Sequence, residues 1–163
     1  MNAKPGNYGL VLQADTETVV QVGRWGAIDI RPGYYIYIGS AFGPGGVLAR
    51  VSRHCRKKKS KHWHIDYLRE IAALESVWYS QRQTRLEHRW AKALATWGNT
   101  EPVYGFGCSD CSCDSHLFYC KKPPTLAGFA KIVGCSIKSW SCDETDLLAG
   151  ADRMSVNSPS AGS

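Results

Sequence analysis

Between Tyr8 and Ala14 the chain places Leu10, Val11 and Leu12 in a weakly alternating run, the pattern of a buried strand. Two shorter β-type runs, Thr18 to Val22 and Ala27 to Ile30, flank Gly23-Arg24-Trp25-Gly26 and predict an inserted hairpin. Pro32-Gly33 then turns the chain into a β-branched and aromatic run from Tyr34 to Ser40. A small, mostly antiparallel sheet is expected for this third of the chain.

Past Gly43-Pro44-Gly45-Gly46 the period changes. Val47, Leu48, Val51 and Cys55 fit one face of a helix, on which Arg50 and His54 share a second face, as do Arg53 and Lys57. A second helix is expected over 62–74, a short strand over Val77 to Ser80, and a third helix from Thr84 to Trp97 with Leu86, Trp90, Ala93, Leu94 and Trp97 inward. Pro102 to Phe106 and His116 to Cys120 read as strands around a polar turn from Cys108 to Asp114. After Lys121-Lys122-Pro123-Pro124 the signal weakens to one or two amphipathic turns over Leu126 to Val133. The predicted architecture is α+β: a main domain over 1–122, an extension over 123–153, and a Ser-, Gly- and Pro-rich flexible tail over 154–163.

Composition adds three constraints. No apolar run approaches the roughly 20 residues needed to cross a bilayer, and Met1-Asn2-Ala3-Lys4-Pro5-Gly6 lacks the apolar segment of an export signal, so a soluble cytoplasmic protein with no membrane partner is expected. Seven cysteines without such a signal point to reduced thiols or a metal site rather than a disulfide framework. The net charge of +6 is concentrated: Arg50, Arg53, Arg56, Lys57, Lys58, Lys59 and Lys61 fall together with no acidic residue among them. Such a field suits a polyanion, so Arg53, Arg56, Lys57, Lys58, Lys59 and Lys61 are candidate phosphate contacts.

Phosphodiester cleavage needs an activated water, a cation beside the phosphoryl oxygens and a stabilised leaving group. In order, Gly6-Asn7-Tyr8, Tyr37-Ile38-Gly39, Arg50-Val51-Ser52-Arg53-His54 and Leu86-Glu87-His88 resemble the motif segments of the GIY-YIG nucleases, with Asn7 where the first motif commonly has Ile. The Gly-Ser-Ala-x-Gly-x-Gly-Gly, Arg-His, His-Trp-His-Ile-Asp-Tyr-Leu and Gly-Phe-Gly-x-Ser-Asp-Cys blocks between Gly39 and Cys111 resemble an uncharacterised, DUF123-like branch of that superfamily, also found attached to some archaeal endonuclease III-type repair glycosylases. The likeness covers about residues 6 to 120. It implies a GIY-YIG-like core and a divalent-metal-dependent endonuclease acting on nucleic acid, DNA rather than RNA, in repair or processing. It also implies Tyr8 as general base, Tyr37 orienting the nucleophile, Arg50 neutralising the phosphoryl group, His54 holding or shuttling a proton, and Glu87 binding one Mg²⁺ or Mn²⁺, a hard ion suited to a single carboxylate.

Each residue also has a plain reading. Strand tyrosines ordinarily pack, Arg50 and Glu87 fit surface helix charges, His54 fits a histidine packed against the sheet, and the basic run fits a solvated loop. The Asn that commonly follows the glutamate helix has no counterpart, that region reading Pro102-Val103-Tyr104-Gly105. His64, Asp66, Ser109, Asp110 and His116 are candidates to line the cleft in its place. Cys108-Ser109-Asp110-Cys111 with Cys113, His116 and Cys120 offers ligands for a structural Zn²⁺, completed by Cys55, His62 or His64, against buried cysteines around a turn. The alternative function is a non-catalytic nucleic-acid-binding module stabilised by that zinc.

Overall fold

The computed structural model describes residues 1–56, 59–108 and 111–142; Lys57, Lys58, Ser109, Asp110 and the expected tail lie outside the described residues. An antiparallel six-stranded sheet is built on β1 (Gly6–Ala14), whose neighbours are β4 (Gly33–Ala41) and β5 (Ala73–Ser80). On the β4 side follow β7 (Leu117–Cys120) and β6 (Glu101–Pro102); on the β5 side lies β8 (Lys138–Trp140). The expected hairpin forms a separate two-stranded sheet from β2 (Thr18–Val22) and β3 (Gly26–Ile30).

Strand alternation decides which layer each side chain joins. On one face, Tyr8, Leu10, Leu12 and Tyr35 pack with Val47 and Val51 of α1 (Gly46–Cys55), Ile65 and Leu68 of α2 (His64–Leu68), and the hairpin's Val22 and Ile30. On the other, Val11, Ile36, Ile38 and Trp78 meet Trp90 and Leu94 of α3 (Glu87–Thr96) and Phe129 of α4 (Leu126–Val133). Both faces of β1 and β4 are therefore covered, which explains why β1 is almost continuously buried and β4 has no exposed residue.

Four expectations change. The second helix spans only His64–Leu68, because Ala73 and Leu74 are claimed by β1 as partners of Gln13 and Leu12. The expected strand over Pro102 to Phe106 stops at Pro102: the Phe106 amide bonds back to the Val103 carbonyl, and Gly105 at φ 82° turns the chain. Residues 126–140 share the core of the main domain, Phe129 being fully buried against Trp78 and Trp90 while β8 extends the sheet. Finally, Cys55 and Cys142 form a disulfide, where reduced thiols or a metal site were expected; their separation of 87 residues is bridged by the pairing of β8 with β5. No described helix is long and apolar enough to cross a membrane.

Candidate functional site

Tyr8 and Gly39 are direct cross-strand partners. The missing side chain at Gly39 is a steric requirement, since a Cβ there would lie 2.5 Å from Tyr8 Cζ and Oη. Held in this gap, the buried Tyr8 places its hydroxyl 2.8 Å from His54 Nε2. Tyr37, two residues along on the same face, sets its ring edge-on to His54 at 6.4 Å. Burial raises both tyrosines well above their ordinary range, although Arg50 opposes the rise. Burial lowers His54 to about 3, assisted by Lys59, so the imidazole is neutral at pH 7.

The other face carries the acidic half. Asn7 and Ser40, also cross-strand partners, both reach the start of α3. The Asn7 side chain donates to the Thr84 carbonyl at 2.9 Å and accepts from the Leu86 amide at 2.9 Å. It fixes the residue immediately before Glu87, which accounts for the Asn at that motif position. Glu87 sits in the first turn of α3, where the helix dipole favours a carboxylate. It accepts from Ser40 Oγ at 2.6 Å, and its Oε1 lies 3.1 Å from His116 Nδ1. Burial would raise the Glu87 carboxyl, but His116 and Ser40 outweigh it and hold the group below its ordinary value. Arg50, from α1 on the opposite face, donates to the Ser40 carbonyl at 3.3 Å. Ser40 thus joins the two halves.

Tyr8, Tyr37, Arg50, His54 and Glu87 accordingly gather around the Tyr8–Gly39 and Asn7–Ser40 pairs. The basic run is more divided. Arg53 makes a two-pronged pair with Asp66 at 3.0 and 2.9 Å and also donates to the Ser60 carbonyl. Lys59 donates to the Arg53 and His54 carbonyls at the end of α1, and burial lowers it to about 8. Lys61 pairs with Glu70 at the surface, and Arg56 is exposed. Arg53 and Lys59 therefore act as internal braces, in contrast to their expected role as phosphate contacts. Trp63 carries the guanidinium groups of Arg50 and Arg53 at 4.4 and 4.2 Å from its ring centroid, which pre-orients Arg50.

Asp66 is likewise structural: fully buried, it accepts from the His62 and Trp63 amides at 2.8 and 2.9 Å as well as from Arg53. Burial opposes its ionisation, but these donors win and hold its carboxyl at about 2. His64 packs between Trp25, from the tip of the β2–β3 hairpin, and Phe106, and burial lowers its imidazole. Neither Asp66 nor His64 joins the metal-ligand cluster that does form among the described residues. That cluster is His88, Cys111 and His116, whose donor atoms all lie within 4.8 Å of one another and could hold a metal ion.

His116 Nε2 lies 3.2 Å from Cys111 Sγ. Burial would lower His116, yet Glu87 and Cys111 together raise it to about 9. Among the thiols, burial pushes Cys108 up to about 12 and Cys113 up to about 11, both also facing Cys111. Cys111 moves the other way, its burial outweighed by the Cys113 amide and His116. Asn7, Ser40, Trp63 and His88 are site residues to which motif reading gave no role, although all four lie inside the motif segments and blocks that carry the resemblance.

Fold and site together define an α+β domain with a polar site where β1, β4, α1 and α3 meet and, beside it, a metal-competent cluster on α3 and the segment before β7. The chain belongs to the family described as Domain of unknown function DUF123, whose model matches residues 7–136. No curated protein and no solved structure matches it.

Proposed function

We propose that this protein is a GIY-YIG-type endonuclease that hydrolyses phosphodiester bonds in DNA, with one divalent ion held by Glu87. One observation carries the reading: Arg50 and Glu87, from opposite faces of the sheet, both bond to Ser40 beside the Tyr8–His54 pair. A cation for the phosphoryl oxygens, an acid–base pair and an ionised carboxylate then stand within one neighbourhood. The motif resemblance supplies the reaction class.

Glu87 fits a hard cation. Its carboxylate is ionised and a quarter exposed, and it uses two of roughly four acceptor positions on Ser40 and His116. When bound, Mg²⁺ or Mn²⁺ would supply Lewis acidity and lower the pKa of a bound water. The chain's own residues do the rest. Arg50, stacked on Trp63, binds a phosphoryl oxygen. Tyr8 takes the proton of the attacking water as it gives its own to His54 Nε2, so no buried phenolate accumulates; as the new P–O bond forms the ester P–O bond breaks, and the departing alkoxide takes a proton from solvent. The phosphate's negative charge favours the imidazolium that results, offsetting the burial that otherwise keeps His54 neutral. Tyr37 orients the nucleophile. Exposed Arg56 and the partly exposed Lys61 contribute backbone attraction that weakens as salt rises.

Plasmid nicking with Mg²⁺ or Mn²⁺ tests this directly, comparing wild type with Glu87→Ala and Tyr8→Phe. The expected result is nicking by wild type and at least a hundredfold loss in both variants, with DNA binding retained by gel shift. Equal trace activity in all three, with binding intact, defeats the nuclease reading and leaves a binding module. That second reading draws on the near-complete burial of Tyr8, 1% exposed.

A further inference from the structure

His116 is positioned by contacts that a merely packed histidine does not need. Its Nδ1 faces Glu87 Oε1 at 3.1 Å and the Ile38 carbonyl at 3.3 Å, which directs Nε2 outward to Cys111 Sγ at 3.2 Å. Histidines that ligate metals are commonly held in this way, a carboxylate or carbonyl on one ring nitrogen fixing the tautomer that leaves the other free to bind. Here the carboxylate is itself fixed, by Ser40. We propose that His88, Cys111 and His116 form a transition-metal site of the zinc class, separate from the hard-ion position on Glu87, with a fourth coordination position left for water or an exogenous ligand.

The ligand set decides the metal. A thiolate with two imidazoles suits Zn²⁺ and disfavours Mg²⁺ or Mn²⁺, which take oxygen donors. Tetrahedral zinc, with Zn–S of about 2.3 Å and Zn–N of about 2.0–2.1 Å, sets donor atoms roughly 3.3–3.6 Å apart. Cys111 Sγ and His116 Nε2, at 3.2 Å, stand a few tenths of an ångström inside that spacing, so an ion would part them slightly. All three donors lie within 4.8 Å of one another, so an ion need draw His88 inward by at most about 1.5 Å. A hydrogen-bonded thiol–imidazole pair without metal explains Cys111 and His116 but not His88, whose ring stands edge-on to His116 at 5.6 Å.

The burial is graded. His116 is buried, Cys111 half-buried and His88 exposed, so the site is anchored inside and open outside. Structural zinc sites close their coordination with four protein ligands, whereas three protein ligands and an open position characterise sites that bind or activate a further molecule. The expected zinc therefore has a different ligand set from any completed by Cys55, His62 or His64; Cys55 is in the disulfide with Cys142.

The test uses the full chain without a histidine tag, stripped with chelator and titrated anaerobically with Co²⁺ and then Zn²⁺, without reductant so that the Cys55–Cys142 disulfide stays closed. The expected result is a thiolate-to-cobalt charge-transfer band with tetrahedral visible bands, both abolished by about one equivalent of Zn²⁺. Cys111→Ser should lose the charge-transfer band and bind Zn²⁺ at least tenfold more weakly, and His88→Ala should weaken binding similarly. Glu87→Gln should keep the band while binding about 10- to 100-fold more weakly. Cys135→Ser, at the far end of α4 and outside the cluster, should change nothing.

A wild-type chain that shows no band with excess Co²⁺ overturns the proposal, and that measurement stands even if a variant fails to fold. Retention of the band in Cys111→Ser, or its loss in folded Cys135→Ser, overturns it as well. DNA cleavage is not read, so failure of the nuclease assay leaves the result unaffected.

Discussion

Replacing Asp66 with asparagine removes one charge from the most heavily hydrogen-bonded carboxylate among the described residues while keeping its shape. Asp66 has no exposed side-chain surface; two Arg53 nitrogens and two backbone amides converge on it, and Lys59 Nζ stands 3.7 Å away. A carboxyl held at about 2 against an ordinary 3.8 contributes about 2.5 kcal/mol at neutral pH, at about 1.4 kcal/mol per pH unit. The variant also strands the Arg53 guanidinium, and removing one partner of a buried ion pair costs about 3–5 kcal/mol. Arg53 keeps 19% of its side chain in water, and asparagine still offers an oxygen to the amides, so the expected total is about 2–4 kcal/mol. Because the folded value lies below the ordinary one, this stabilisation is fully present above about pH 4 and is lost as pH falls through 2. Urea unfolding at pH 7, 5 and 2.5 should therefore show a gap between wild type and Asp66→Asn that narrows at the lowest pH, with unchanged denaturant slopes. A gap below about 1 kcal/mol at pH 7, or one that does not narrow, refutes the assignment of Asp66 as the charged brace of α1 and α2.

Gly39→Ala drives a methyl against the ring of Tyr8, which is buried and tied to His54. Overpacking of about 1–3 kcal/mol plus a lost hydrogen bond of about 1 kcal/mol should lower stability by about 2–4 kcal/mol in chemical denaturation. A loss within about 0.5 kcal/mol would show that the ring gives way freely. Phe129→Ala empties a fully buried position between Trp78 and Trp90, with an expected cost of about 3–5 kcal/mol. Calorimetry should show it as a lowered transition of the whole molecule; a separate, smaller transition would make residues 126–140 an independent unit.

The strand runs were legible because period-2 patterning and glycine punctuation are local signals, and β1, the β2–β3 hairpin and β4 fall where those signals place them. The helix expected over 62–74 was overestimated for the same reason in reverse. Ala73 and Leu74 are locally compatible with helix, but β1 offers them a partner 60 residues away that no local window contains. The site divides similarly. Tyr8, Tyr37, Arg50, His54 and Glu87 were accessible through the order of motifs. The internal employment of Arg53 and Lys59 was not, since a run of cations reads as exposed charge until a buried acid such as Asp66 is placed beside it. Asn7 is the sharpest case: read as a departure from the motif, it is the residue that ties β1 to the start of the glutamate helix.

The two pairs at the heart of the site, Tyr8 with Gly39 and Asn7 with Ser40, are consecutive in the β1–β4 ladder. Because successive residues point to opposite faces, this adjacency puts one polar group on each side of the sheet. A site confined to one face would need its acid and its cation on the same helix layer, where their mutual pairing would neutralise both. Here Glu87 comes from the α3 layer and Arg50 from the α1 layer, and each bonds to Ser40 rather than to the other. The cation is further stacked on Trp63, and the carboxylate is shared with His116. Opposite charges are thus held close without cancelling, a separation maintained by backbone pairing and not by side-chain choice. In the proposed endonuclease, an incoming phosphate and a metal ion would each meet an oppositely charged group already oriented, the preorganisation that electrostatic catalysis would require.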